Sequence, residues 1–162
     1  MKNFDFAEQL VAVCSRKGLT LGTAESCTGG GVAAAITDIA GSSSACVGGY
    51  VTYTNELKMD LLGVPTAVIE HETEVSHACA RAMAIGTRER LGVTIAVSTT
   101  GYAGPGGGTE RDPVGTVYIG VSTANDCFTE RFVAPRGANR AEVRRASAER
   151  ALELALQVAE LL

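Results

Sequence analysis

Between Val93 and Thr99 the chain reads Val-Thr-Ile-Ala-Val-Ser-Thr, and it runs almost directly into Gly101-Tyr-Ala-Gly-Pro-Gly-Gly-Gly-Thr109. A short stretch that is apolar or β-branched at nearly every position marks a strand buried on both faces. The glycine-rich segment after it can be neither helix nor strand. A strand hidden on both sides needs a layer over each face. That requirement points to helices packed on both sides of a sheet.

The rest of the chain supplies them. Phe6, Leu10, Val11, Val13 and Cys14 fall at helical spacing, and Gly18 stands where a helix stops. Residues 19–23 read as a strand, 28–39 as a helix of small apolar residues and 47–54 as a β-branched strand. Residues 55–62 fit a short helix closed by Gly63 and Pro65, and 76–91 form the clearest amphipathic helix. Residues 114–123 and 127–134 flank Ala124-Asn125-Asp126 as a hairpin, and 140–162 close the chain as a long helix. Alternation of helix and strand followed by a hairpin predicts an α/β fold, a three-layer α/β/α sandwich on a mixed, mostly parallel sheet. A length of 162 residues fits one domain spanning 1–162.

Composition removes several functions. Eighteen Asp+Glu against fourteen Lys+Arg leave a net charge of −4, without the positive field that drives nucleic-acid binding. No apolar run is long enough for a membrane span, and the polar start, Met1 to Glu8, is unlike a signal peptide. A cytoplasmic protein is the expectation. Five scattered cysteines without a C-x-x-C pair, and two histidines six positions apart, match neither a disulfide framework nor a zinc site. No metal or organic cofactor is expected, and catalysis must use a base other than histidine.

Four segments can carry chemistry. Thr23-Ala-Glu-Ser-Cys-Thr-Gly-Gly-Gly31 joins a strand to a helix, where free N–H groups and the helix dipole suit a phosphate or an oxyanion. Ser26 and Thr28 offer hydroxyls there, with Gly29 and Gly30 as backbone donors; helix capping and close packing are the plain alternative. Val51-Thr-Tyr-Thr-Asn-Glu-Leu-Lys58 is again strand into helix. A desolvated Lys58 near a hydroxyl can serve as a general base, with Tyr53 as a second proton-transfer group; a solvated helix lysine is the alternative. The loop after Thr99 and Thr100, including Gly101 and Gly104, offers hydroxyls and free amides to a bound group. Arg140 and Arg144 lie i,i+4 on the last helix, where their guanidinium groups match a phosphate or pair with nearby glutamates.

The strings Thr-Ala-Glu-Ser-Cys-Thr-Gly-Gly (23–30), Gly-Ser-Ser (41–43), Thr-Tyr-Thr-Asn-Glu-Leu-Lys (52–58), Leu-Leu-Gly-Val (61–64), Thr-Gly-Tyr-Ala-Gly-Pro-Gly-Gly-Gly-Thr (100–109) and Pro-Val-Gly-Thr-Val-Tyr (113–118) resemble the C-terminal domain of the competence/damage-inducible CinA family. The likeness runs in order through nearly the whole chain. Stand-alone members of that family include nicotinamide-nucleotide amidases. The resemblance therefore implies hydrolysis of the carboxamide of nicotinamide mononucleotide to nicotinate mononucleotide and ammonia. It carries the nucleophile over to Ser26, the lysine to Lys58, the tyrosine to Tyr53 and the hydroxyl residue before Gly-x-Ala-Gly-Pro to Thr100. Many relatives carry a preceding nucleotide-hydrolysing domain; with the motif so near the first residue, that activity is not expected here.

This chain departs from the family pattern in two places. Ala138-Asn139-Arg140 stands where relatives have Gly-Asp-Arg, and within residues 70–76 the run from His71 to Ser76 is one residue longer than His-Gly-Ala-Val-Ser. The competing reading is a non-catalytic regulatory module that holds a nucleotide or phosphate in the same pocket. The expected partners are a small pyridine nucleotide and a second copy of the chain, a dimer, with no nucleic acid and no membrane.

Overall fold

The computed structural model describes residues 3–162; Met1 and Lys2, part of the polar amino-terminal stretch read above, lie outside them. The described residues form five strands, β1 (Leu21–Glu25), β2 (Cys46–Val51), β3 (Ile95–Gly101), β4 (Thr116–Ser122) and β5 (Cys127–Val133). Six α-helices accompany them: α1 (Asn3–Lys17), α2 (Gly31–Thr37), α3 (Asn55–Leu62), α4 (Thr66–Glu72), α5 (His77–Leu91) and α6 (Arg140–Leu161). The strands are ordered β2-β1-β3-β4-β5. β1 runs parallel to β2 and β3, whereas β4 is antiparallel to β3 and β5, so the mixed sheet divides evenly between the two kinds of ladder.

Side chains alternate across the sheet and sort the core into two. Leu21, Ile95, Val97, Val117, Ile119 and Val121 face α1, α2 and α6 in the larger cluster. Ala24 faces the other way, with Leu62, Val64, Cys79 and Met83 from α3, the turn after it and α5. The result is the expected three-layer sandwich. β3 and β4 are buried almost throughout because both faces are covered; β2 is an edge strand and alternates between half-buried and exposed.

Several boundaries differ from the sequence reading for identifiable reasons. α3 covers the expected residues because the Thr54 hydroxyl accepts the Leu57 N–H at its start and Gly63 closes it in the left-handed conformation. α2 is only 31–37, since Gly29 and Gly30 take positive φ angles of 61° and 99° that helix cannot use. α4, unrecognised in the sequence, is a surface helix with no buried residue and hence no apolar stripe to betray it.

The topology positions one edge of the molecule. β2, β1 and β3 are neighbours and run the same way, so the residues following all three emerge together. Those residues are Ser26, Thr52 and Tyr102. In open α/β sheets this carboxyl edge is the usual ligand site.

Candidate active site

Ser26 follows β1 directly, and its N–H donates to the Thr99 carbonyl at 3.0 Å, as if the ladder continued one residue further. Lys58 sits one turn into α3 and is 1% exposed. Its Nζ lies 3.1 Å from Ser26 Oγ and 2.8 Å from the Thr52 carbonyl oxygen. The solvated-lysine alternative is thus set aside. Burial pulls the Lys58 pKa below its ordinary value, because a charged amine loses its hydration there. Electrostatics from Cys79, Glu74 and Cys27 oppose that shift. The Cys79 and Cys27 thiols, pushed up by burial to about 11 and about 12, stay protonated at neutral pH, which leaves Glu74 as the opposing carboxylate.

A cleft of about 250 Å³ opens over this pair. Tyr53, Thr100, Gly101 and Arg140 also line it, so the structure brings most of the expected site together. Tyr53 is 59% exposed, and its hydroxyl accepts from Arg140 Nη2 at 3.1 Å. Arg140 Nη1 donates to the Gly104 carbonyl at 2.7 Å, so that glycine holds the arginine at the rim. Thr100 is buried, and its hydroxyl donates to the Glu74 carbonyl at 2.6 Å. That bond fixes the opposite wall of the cleft and leaves the Thr100 oxygen free only to accept.

Four expected phosphate contacts are used internally instead. The helix α2 amides already have an anion: the Glu25 carboxylate, 1% exposed, accepts the N–H groups of Gly30, Val32 and Ala33 at 3.1, 3.0 and 2.8 Å. The Thr28 hydroxyl donates to the same carboxylate at 2.5 Å and sits 2.7 Å from Thr99 Oγ1. Gly29 N–H is taken by the Ser26 carbonyl. Arg144, from α6, donates to the carbonyls of Cys27 and Thr28, both at 3.1 Å. Thr28, Gly29, Gly30 and Arg144 therefore shape the turn that presents Ser26, and a helix end satisfied by its own carboxylate has little left for a phosphate.

Glu25, Asn55, Glu74 and Tyr102 are the residues sequence reasoning missed. Asn55, Glu74 and Tyr102 line the cleft. The signal for Glu25 was its place a few residues ahead of a helix start, where a carboxylate complements the dipole. At the other departure from the family pattern, Asn139 accepts the Glu142 N–H while the Glu142 carboxylate accepts the Asn139 N–H. This capping box begins α6 at Arg140 and aims that residue at the cleft.

A larger surface groove, about 430 Å³, lies beside the start of α6 between Pro135 and Glu149 and contains neither Ser26 nor Lys58. Among the described residues, no helix is long and apolar enough to cross a membrane.

The CinA C-terminal domain family model matches residues 3–159. A CinA-like protein of Parasynechococcus marenigrum is 44% identical over 149 residues, covering 91% of this chain and 35% of that protein. One from Geobacter sulfurreducens is 51% identical over 126 residues, or 76% of this chain and 30% of its own length. The chain thus spans about a third of the length of the curated relatives it matches. Among solved structures, the competence/damage inducible protein CihA from Agrobacterium tumefaciens superposes with a TM-score of 0.92 at 39% identity, over 97% of this chain and 96% of that one. A CinA superfamily protein from Klebsiella pneumoniae gives 0.94 at 28% identity over the full length of both. A family match over almost every residue, with a solved relative alike in sequence and in fold, makes this chain a member of the CinA C-terminal domain family.

Proposed function

We propose that this chain is a nicotinamide-nucleotide amidase, hydrolysing the carboxamide of nicotinamide mononucleotide through a Ser26–Lys58 pair. The observation that carries the reading is the 3.1 Å approach of a buried, desolvated lysine to a serine oxygen at the floor of a cleft. Neutral Lys58 keeps one N–H on the Thr52 carbonyl and turns its lone pair to Ser26. Ser26 Oγ bonds to the amide carbon as its proton passes to Lys58. Collapse of the tetrahedral adduct breaks the C–N bond, and the same proton returns to the nitrogen, which leaves as ammonia. Water then attacks the ester, Lys58 takes its proton, and nicotinate mononucleotide departs as Ser26 is restored.

The oxyanion needs donors that are not already committed. Ser26 N–H is engaged by Thr99. Bonds on that side of β3 recur at every second residue, with Ile95 donating to Thr20 and Thr99 accepting from Ser26. The alternation turns the Gly101 N–H toward the Ser26 turn, and Gly101 with Cys27 is the pair we assign to the oxyanion. Arg140, held by Gly104 and Tyr53 at the rim, is assigned to the phosphate. Tyr53 and Thr100 orient rather than relay: one braces Arg140, the other the Glu74 wall.

Ammonia release from nicotinamide mononucleotide by the purified chain tests the reading. Stoichiometric ammonia and nicotinate mononucleotide are expected. Binding of the nucleotide with no turnover would instead favour the regulatory module.

A further inference from the structure

Glu74 stands in the cleft although nothing in the chemistry above uses its carboxylate. It is half-buried, it lines the cleft with Ser26 and Lys58, and its backbone is fixed from three sides. Its carbonyl accepts the Thr100 hydroxyl, and Val75, the next residue, is buried. Thr73, the residue before, is held at φ 73° and ψ 166°, a region a β-branched residue occupies only under constraint. The Thr73 hydroxyl bonds to both backbone groups of Val75, and Ser76 Oγ donates to the Thr73 carbonyl. A strained, cross-braced turn of this kind fixes the backbone from which the Glu74 side chain departs.

Tyr102 shares that wall. Its ring packs with the cluster of Val75, Ala80 and Tyr118, and it too lines the cleft. Burial raises its phenol pKa, and the negative charge of Glu74 adds to the rise. An aromatic ring beside a carboxylate is the chemistry that recognises an organic cation, by attraction to the ring face together with charge.

We infer that Glu74 and Tyr102 form a cation-recognising corner, so that the cleft selects an amide borne on a positively charged ring over a neutral amide of the same shape. This rests on the amidase reading and adds to it the two residues that set its selectivity for ring charge. Arg140 at the rim and Glu74 on the wall then present opposite charges to the phosphate and ring of a single ligand.

Nicotinamide mononucleotide and its neutral dihydro form share ribose, phosphate and amide, so their affinities differ chiefly through ring charge. Calorimetric titration of both into Ser26→Ala is expected to show about a tenfold preference for the pyridinium form, the size of one cation–π or ion-pair contact in a partly desolvated site. Glu74→Gln and Glu74→Ala, each added to Ser26→Ala and checked for an unchanged melting temperature, should cut that preference to about twofold or less. Tyr102→Leu should reduce it as well. Equal affinity for the two nucleotides, a preference that survives both Glu74 changes, or binding of neither nucleotide overturns the inference. Wild-type turnover, measured alongside, separates the two claims. Ammonia release without a ring-charge preference removes the corner and leaves the amidase; a preference lost with Glu74, but no turnover, does the reverse.

Discussion

Arg144 reaches from α6 to the carbonyl oxygen of Cys27, with a second hydrogen bond to Thr28. It thereby ties the closing helix to the turn that carries Ser26. Arg144→Ala should leave two carbonyls without their charged donor, at about 1.5–3 kcal/mol for a bond of this kind. The expected result is a kcat lower by about tenfold or more, with KM little changed. A large rise in KM with normal kcat would instead make Arg144 a phosphate ligand.

Glu25 gathers three N–H groups and one hydroxyl at the start of α2. Glu25→Gln replaces an acceptor oxygen with a donor that faces donors. About 3–5 kcal/mol of stability should be lost, the usual cost of breaking a buried charged network. For a domain of this size that is a fall in Tm of about 6–20 °C, readable by thermal melting.

Gly86, in the middle of α5, lies against the end of α3. A Cβ built there would come within 1.9 Å of the Leu62 carbonyl oxygen, and backbone cannot yield as a flexible side chain can. Gly86→Ala should push α3 outward, costing about 1–3 kcal/mol by overpacking. Because Lys58 rides on α3, the variant should also lose more activity than stability loss alone explains. Comparing specific activity with the folded fraction by circular dichroism checks this.

Burial lowers the Lys58 pKa, and the sign of its effects follows. Catalysis needs the neutral amine, so kcat/KM should rise with pH through an apparent pKa below 10.5, the ordinary lysine value. The unfolded chain holds the proton more tightly, so folding stability should also climb between the folded pKa and 10.5. Lys58→Met should flatten that climb in denaturation curves collected across the range. A slope unchanged by the substitution would mean the amine is not desolvated.

Much of the architecture could be read from residue patterns, and the exceptions have physical causes. The apolar run at Val97 predicted a doubly covered strand because burial on both faces leaves no polar alternation. Gly63 marked the end of α3 with one of the commonest boundary signals. What could not be read was how polar groups choose partners in three dimensions. Thr28 and Gly30 resembled ligand donors until Glu25, close by in the chain, claimed them. Arg144 resembled an anion site until the fold brought it to carbonyls more than a hundred residues away. Glu74 stood in a polar string with no periodicity, and only the return of the chain beside β3 puts it in the cleft.

The Ser26–Lys58 contact is tested most directly by steady-state ammonia release from nicotinamide mononucleotide by the wild type, Ser26→Ala and Lys58→Ala, each shown to be folded. Loss of kcat by about 10²–10⁴-fold or more is expected in both variants, the range for removing a nucleophile or its general base. Near-normal turnover in either one would contradict the serine–lysine chemistry.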